Sequence, residues 1–312
     1  MIYYPYFRGK QYELLCIKEN AELLSASGFC PIIEPVKDDA GSIVRCLAEI
    51  VKYDGSAFVV ANPSCGGLKD GLSADFKRRL AELIGENNGL SWMYRTQGLV
   101  EGSVGLGHGT HALLHDRSQD AAIIKSAAEK KGARLSPNVF IEGQDSGPLY
   151  RRQFSESVRI IVQDGFRKKK NSDYLEPHTE HFSDLYLTYK DLGMDGFGDF
   201  LTVGEEFSEG GGPAYAVAIH LTFVDDESNS SVFIKHFVSD SNLTPADPAG
   251  KFGEALAKLS KAVRARGSKI LQTAAVKEFL SLYDRGHYPG LGYVKKLSMQ
   301  HHIELMASLD YD

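Results

Sequence analysis

The chain has 312 residues, of which 43% are hydrophobic and 24% are charged, and its formal net charge is -6. These values are typical of a globular protein and exclude a disordered or low-complexity chain. The negative charge and a pI near 5.9 argue against bulk nonspecific binding to nucleic acid, although a local basic rim can still bind phosphate.

The cysteine pattern and the apolar runs indicate the compartment. The four cysteines show no CxxC spacing, which fits a reducing environment. The N-terminus lacks a basic start followed by an apolar stretch, and no apolar run approaches the ~20 residues that span a bilayer. We therefore expect a cytoplasmic protein that does not enter a membrane.

Eight times along the chain, a short apolar run ends in a charged or amide residue, and most of these runs are followed by an amphipathic helical pattern. This alternation is typical of a (β/α)₈ TIM-like barrel. The predicted strands are Tyr3–Arg8, Phe29–Val36, Ala57–Asn62, Leu90–Thr96, His111–Asp116, Asn138–Gly143, Val158–Asp164 and Gly198–Glu206. Residues 98–109 hold five glycines, which predicts a loop in place of a full fourth helix.

The pattern changes in the last third of the chain. We predict a helix over 179–190 before the eighth strand, a β-hairpin inserted at 215–239, a closing helix over 248–266 and a C-terminal helical extension over 273–306. No linker separates these parts, so residues 1–312 are predicted to form a single domain.

A barrel of this kind carries its active site where the strands end, at the C-terminal rim. The polar residues that end the predicted strands should therefore converge there. They are Arg8, Glu34, Asn62, Arg95, Asp116, Glu142, Asp164 and Asp199.

Cations near the rim indicate an anionic ligand. Arg8 and Lys10 flank a glycine where a strand gives way to a helix, and a helix N-terminus attracts anions. We assign these two to ligand binding together with Lys37, Asn62, Arg95 and Arg167. Two alternatives stay open: Arg8 could instead pair with a rim carboxylate, and the basic run that Arg167 opens could be a solvated surface.

The strand-end carboxylates are the catalytic candidates. Glu34 and Glu142 each end an otherwise apolar strand, where a charge must be ion-paired or must serve as a general base or metal ligand. Asp116 and Asp199 extend the set, and Mg²⁺ is the candidate cofactor. The same carboxylates could simply neutralise the rim cations, which the rule that buried charges are paired favours.

His115 is the remaining acid/base candidate because it adjoins Asp116. His111 lies on the same side of the predicted strand, but residues four apart on a strand are more than ~13 Å apart, so a shared zinc ion is excluded. Cys65 is a lone cysteine with no assigned histidine partner, and we do not assign it as a nucleophile.

Three segments carry a family resemblance: residues 4–14 (YPYFRGKQYEL), 31–36 (PIIEPV) and 196–200 (GFGDF); residues 299–303 (MQHHI) are a weaker match. On these segments the chain resembles the uncharacterised "beta family protein" group of bacterial and phage-associated proteins, and looks closest to a sister branch known only by a myxobacterial locus tag. The resemblance implies a barrel-like fold encoded in mobile or defence-related gene neighbourhoods. It implies no catalytic residues, because the family has none assigned.

Two functional hypotheses follow. In the first, the chain is an enzyme, a hydrolase or phosphate-ester-processing barrel, that binds an anionic small molecule or nucleotide at its rim and acts in phage defence. In the second, it is a non-catalytic scaffold that binds a protein partner in a defence-related complex. An open rim pocket with convergent charges favours the first, and a rim closed by salt bridges favours the second.

Overall fold

A computed structural model describes residues 2–102, 106–117, 119–210 and 212–311. Its residues form two compact units. The barrel unit comprises Met1–Asp164 and Leu185–Phe200, and the C-terminal unit comprises Gly165–Asp184 and Leu201–Asp312. The predicted hairpin and C-terminal helices therefore share one unit, and the single domain over residues 1–312 stays a prediction.

The described part of the barrel unit contains an eight-stranded parallel sheet, which confirms the predicted (β/α)₈ TIM-like barrel. Its strands are β1 (Tyr6–Phe7), β2 (Ile32–Ile33), β3 (Ala57–Val60), β4 (Leu90–Arg95), β5 (Gly109–His115), β6 (Ala133–Ile141), β7 (Arg159–Gln163) and β9 (Gly196–Asp199). The eighth strand of the barrel therefore begins and ends earlier than the predicted 198–206.

Backbone contacts between the first and last strands bring the sheet close to closure. Tyr3 and Phe197 form a parallel bridge, and the Tyr4 amide donates to the Phe197 carbonyl at 2.8 Å. At Gly198 a side chain would overlap the carbonyl oxygen of Tyr4, so this seam requires glycine.

Helices connect most of these strands. They are α1 (Gln11–Glu19), α2 (Ala21–Ala26), α3 (Ala40–Lys52), α4 (Ala74–Glu86), α5 (Thr96–Val100), α6 (Ala121–Glu129), α7 (Pro148–Arg152) and α8 (Leu185–Thr188). Short polar side chains cap three of them: Asp39, Ser73 and Asp120 each accept a hydrogen bond from a first-turn amide of α3, α4 or α6. The predicted loop over 98–109 begins within α5, and residues 103–105 lie outside the described residues.

The C-terminal unit contains a three-stranded antiparallel sheet in the order β10-β11-β8, formed by β10 (Ala218–Asp225), β11 (Ser231–Val238) and β8 (Thr179–Ser183). β10 and β11 pair with each other, in agreement with the predicted hairpin. The prediction of a helix over 179–190 is wrong for its first half. Those residues form β8, because the edge of β11 offers them a partner.

Three helices complete this unit: α9 (Pro248–Arg264), α10 (Ala274–Arg285) and α11 (Leu291–Ala307). They pack on the sheet through a shared apolar core. Ile219 and Leu221 of β10 lie in it with Phe252 and Leu256 of α9 and with Phe279 of α10. The C-terminal helical extension predicted over 273–306 is therefore confirmed.

Candidate functional site

The inside of the barrel is an apolar core, and its last layer determines which strand ends face inward. That layer includes Tyr6, Ile32, Val60, Met93 and Leu114. Since side chains alternate between the two faces of a strand, the residue two positions later also faces inward. These residues are Arg8, Glu34, Asn62, Arg95 and Asp116. Together with Ser64, which contacts them, we call them the rim cluster.

Glu34 lies at the centre of the rim cluster and is fully buried. One carboxylate oxygen accepts from the Tyr6 hydroxyl at 2.8 Å and is ion-paired with Arg8. The other accepts from Arg95 at 3.1 Å and from the backbone amide and hydroxyl of Ser64 at 2.6 and 2.9 Å. Five donors therefore hold this carboxylate, which makes it the fixed point of the cluster.

Arg95 joins Glu34 to a second carboxylate. Its Nη2 is ion-paired with Asp116, and its Nη1 also donates to the Ser64 hydroxyl. Asn62 exchanges two hydrogen bonds with the backbone of Arg95, at 2.8 and 3.1 Å, so its amide holds the ends of β3 and β4 together. The structure thus places Asn62 in the cluster as a support of the backbone.

Arg8 lies over aromatic rings. Its guanidinium carbon is 5.2 Å from the centre of the Tyr6 ring and 5.5 Å from that of Phe200, both within the range of a cation–π contact. Nη1 lies 3.9 Å from the Cys65 sulfur. The backbone amide of Arg8 donates to Glu13, a buried carboxylate on α1. The chain direction at the end of β1 is therefore fixed by the helix that follows.

The charges of the cluster balance. Burial alone would raise the pKa of Glu34, but Arg8 and Arg95 outweigh burial and hold that pKa below its usual range. Glu34 is thus ionised at neutral pH and has no proton to donate as a general acid. Burial, followed by the charge of Glu34, raises the pKa of Cys65 to about 11, which keeps its thiol protonated.

Asp116 retains one unused atom. Its Oδ2 pairs with Arg95, whereas Oδ1 is buried and has no hydrogen-bond partner within the described residues. Such an atom normally finds a donor. Arg95 has five N–H donors and makes three side-chain hydrogen bonds in the described part of the chain. The Arg95–Asp116 pair therefore combines a spare acceptor with spare donors.

His115, a predicted catalytic residue, is not part of the rim cluster. It points to the outside of the barrel, where it is fully buried between Phe140 and Phe154 with ring centres 4.5 and 4.7 Å away. Its two nitrogens contact the Tyr150 hydroxyl at 2.7 Å and the Asn138 oxygen at 2.9 Å. Burial lowers its pKa to about 4, so the imidazole is neutral and packs the sheet against α7.

Glu142 and Asp199 also have other surroundings. Glu142 is half-buried and accepts a hydrogen bond of 2.5 Å from Gln163, the residue at the same level of the next strand. Asp199 is buried and accepts from the Tyr3 hydroxyl at 2.8 Å. Neither hydrogen bond joins the rim cluster, and a catalytic role for these carboxylates stays a prediction.

The other predicted residues lie in loops. Lys10 precedes α1 and Lys37 is exposed between β2 and α3, so both follow strands whose ends form the rim cluster. Asp164 is exposed just after β7. Arg167 is exposed in the C-terminal unit, and its carbonyl accepts from the Tyr174 hydroxyl at 3.0 Å.

The arrangement of acidic side chains bears on the Mg²⁺ candidate. Within the described ranges, no group of three or more His, Cys, Asp and Glu side chains is placed to hold a metal ion. In the rim cluster, Glu34 and Asp116 face arginines.

Ser64 is the cluster member that sequence reasoning missed. It lies in the loop after β3, outside any strand pattern, and only the contacts show that it bonds both Glu34 and Arg95. Its position after the Asn62–Pro63 pair, next to a predicted strand end, is the one signal that the sequence offers.

Comparisons of the chain with protein-family models, with curated proteins and with solved structures found no match. Within the described residues, none of the helices combines the length and the apolar character needed to cross a membrane. The fold and the rim cluster are therefore the basis for the functional proposal.

Proposed function

We propose that the rim cluster binds a small anionic or phosphate-bearing molecule, with Arg8 and Arg95 as its anion contacts. The observation that supports this is the pair of guanidinium groups held on one buried carboxylate at the barrel end where such folds bind ligands. Because Glu34 already orders both arginine side chains, ligand binding does not carry the entropy cost of ordering them. Binding is proposed here, and no reaction is assigned.

The equal numbers of positive and negative side chains in the rim cluster limit how it can bind an anion. Within the cluster, two arginines face two carboxylates, so an added anion needs further positive charge. Lys10 and Lys37 are on the loops that follow β1 and β2, and we propose that they supply it. A ligand hydroxyl or amine would donate to Oδ1 of Asp116. This combination suits a sugar phosphate or nucleotide, which carries phosphate and hydroxyl groups together.

Thermal melts test the proposal. We would record the Tm with inorganic phosphate, ribose 5-phosphate and adenosine monophosphate, each with and without Mg²⁺. A ligand at a hundred times its Kd adds about 2.7 kcal/mol of stability, which raises the Tm by several degrees. Lys37→Glu should reduce that rise. Lys52→Glu is the matched control, because Lys52 is exposed at the other end of α3.

A second candidate function is a non-catalytic scaffold that binds a protein partner. The continuous series of ion pairs from Arg8 through Glu34 and Arg95 to Asp116 favours it, because each of these charges already has an opposite charge beside it without a ligand. An unchanged Tm with all three ligands, or equal ligand-induced rises in Tm in both lysine variants, would reject rim binding and favour the scaffold.

A role in phage defence, in cytoplasmic bacterial complexes, is part of the proposal through the family resemblance. Plating of phages on cells that express the wild type or Lys37→Glu tests it. We expect protection by the wild type and weaker protection by the variant. No difference between expressing and empty cells contradicts the defence role.

A further inference from the structure

The C-terminal unit contains a groove of about 470 Å³ that is separate from the rim cluster. Three parts of the chain form it: the segment around Tyr174, the last residues of β11 and one face of α9. The strand ladder between β8 and β11 ends at the pair Thr179 and Lys235, and the groove lies beside this end. Beyond that pair, the His236 amide donates to the His178 carbonyl at 2.8 Å.

One face of α9 forms the opposite wall. Lys258, Lys261 and Ala262 line the groove, and their spacing of three and four residues places them on one side of the helix; Ala265, directly after the helix, also lines the groove. The two alanines leave room above the sheet, and the two lysines place positive charge along its edge. The sequence of α9 therefore produces a wall that is both shallow and cationic.

Two packed aromatic rings lie buried beside the groove. Tyr174 is 1% exposed, and its hydroxyl accepts from the Lys169 amide at 2.8 Å and donates to the Arg167 carbonyl at 3.0 Å. Its ring centre is 4.5 Å from that of His236, which is 4% exposed. Both residues border the groove with almost no exposed surface, so the apolar surface open to a ligand comes from the partly exposed Leu175 and Ala262 beside them.

His236 is held by polar partners on both sides. Its Nε2 lies 3.3 Å from Glu180, which Lys169 also pairs at 2.6 Å, and its Nδ1 lies 2.8 Å from Nδ1 of His220. Burial lowers the pKa of His236 to about 4, so the ring is neutral near pH 7. The positive charge of the groove therefore comes from its lysines.

The lysines differ in how far their charge is already satisfied. Lys258 donates to the Val238 carbonyl and pairs with Asp240, each at 2.7 Å. Lys235 and Lys261 form no salt bridge within the described residues, and both line the groove. Two ammonium groups beside an apolar surface attract an anion that also has an apolar part.

We propose that this groove binds a small aromatic anion, with a flat ring system against Leu175 and Ala262 and its acidic group between Lys235 and Lys261. A bicyclic aromatic carboxylate fits comfortably within the cavity volume. The site is independent of the rim cluster, so it holds or fails separately from the proposed rim ligand.

The test uses naphthalene-2-carboxylate as the probe in isothermal titration calorimetry of the full chain. We expect saturable binding at one site, at least tenfold stronger than that of uncharged naphthalene-2-methanol. Lys261→Glu should weaken binding of the carboxylate tenfold or more. Lys277→Glu is the matched control, because Lys277 is exposed on α10 away from the groove lining, and it should leave binding unchanged.

A second variant fills the groove. Ala265→Trp places a large ring at an exposed position after the last turn of α9, so the fold should persist, and it should abolish binding. Circular dichroism confirms folding of each variant. Absence of saturable binding, equal affinity for the uncharged alcohol, or unchanged binding in Lys261→Glu and Ala265→Trp would each overturn the proposal.

Discussion

Replacing Glu34 by Gln should destabilise the barrel unit more than any other conservative change at the rim. The carboxylate accepts from five donors, two on one oxygen and three on the other. An amide has one oxygen only, so its NH₂ group must face at least two donors in either orientation. The change therefore removes a charge and also creates donor–donor contacts.

The size of the effect follows from burial. Removing one partner of a buried ion pair costs about 3–5 kcal/mol. The side chains of Arg8 and Arg95 keep 14% and 10% of their surface exposed, so water relieves part of the loss and about 3 kcal/mol is expected. For a unit of this size, that corresponds to a fall in Tm of about 6–12 °C.

Calorimetric melts of Glu34→Gln measure this fall, and Glu142→Gln is the control. Glu142 is half-buried with Gln163 as its hydrogen-bond partner, so its amide should cost about 1 kcal/mol or less. A Glu34→Gln protein that melts within 2 °C of the wild type, by the same scale, would refute the reasoning.

Three further predictions concern acid stability and the rim. Burial lowers the pKa of His115 from 6.5 to about 4, so between these values only the unfolded chain binds the proton. His115 alone should therefore contribute a loss of about 3 kcal/mol of stability from pH 6.5 to pH 4. His115→Gln should flatten this part of the urea-unfolding profile, and an unchanged slope would contradict the assignment. Gly66→Ala should cost about 2 kcal/mol or more in urea unfolding, because at φ +71° the new carbon overlaps the Val36 carbonyl oxygen. In Gly67→Ala the new carbon lies 3.7 Å from that oxygen, so this control should be nearly neutral. Equal effects of the two changes would argue against this geometry. Asp116→Asn should cost about 2 kcal/mol, less than Glu34→Gln, because Arg95 keeps its bond to Glu34; a larger loss in Asp116→Asn would reverse the assigned centre of the cluster.

The barrel could be predicted from the sequence because its apolar runs and polar strand ends recur along the chain. The direction of each strand-end side chain could not. The last three residues of β6 (VFI) and the middle of β7 (IIV) are apolar on both faces, so the two-residue alternation that reveals the inward face is absent there. Glu142 and Arg95 therefore have the same appearance in sequence, although only Arg95 joins the rim cluster.

Long-range pairing accounts for the other differences. Residues 179–183 form a strand because β11 lies beside them, and the paired residues of β11 are 49–56 positions further along the chain. Ser64 joins Glu34 and Arg95 only once three separate strand ends have come together. In both cases, the local sequence lacks the information that the tertiary contacts supply.

The excursion of the chain between β7 and α8 affects how the protein is made. Its strand β8 belongs to the sheet of the C-terminal unit, yet the ribosome synthesises it before the last barrel strand, β9. At about 5–20 residues per second, β11 follows β8 after roughly 2–10 s. During that interval β8 has no sheet partner, whereas the last barrel strand, β9, is completed before synthesis reaches β11. Vectorial synthesis therefore allows the barrel to form first, and a nascent chain that stalls before Ser231 would carry an unpaired strand that chaperones can bind.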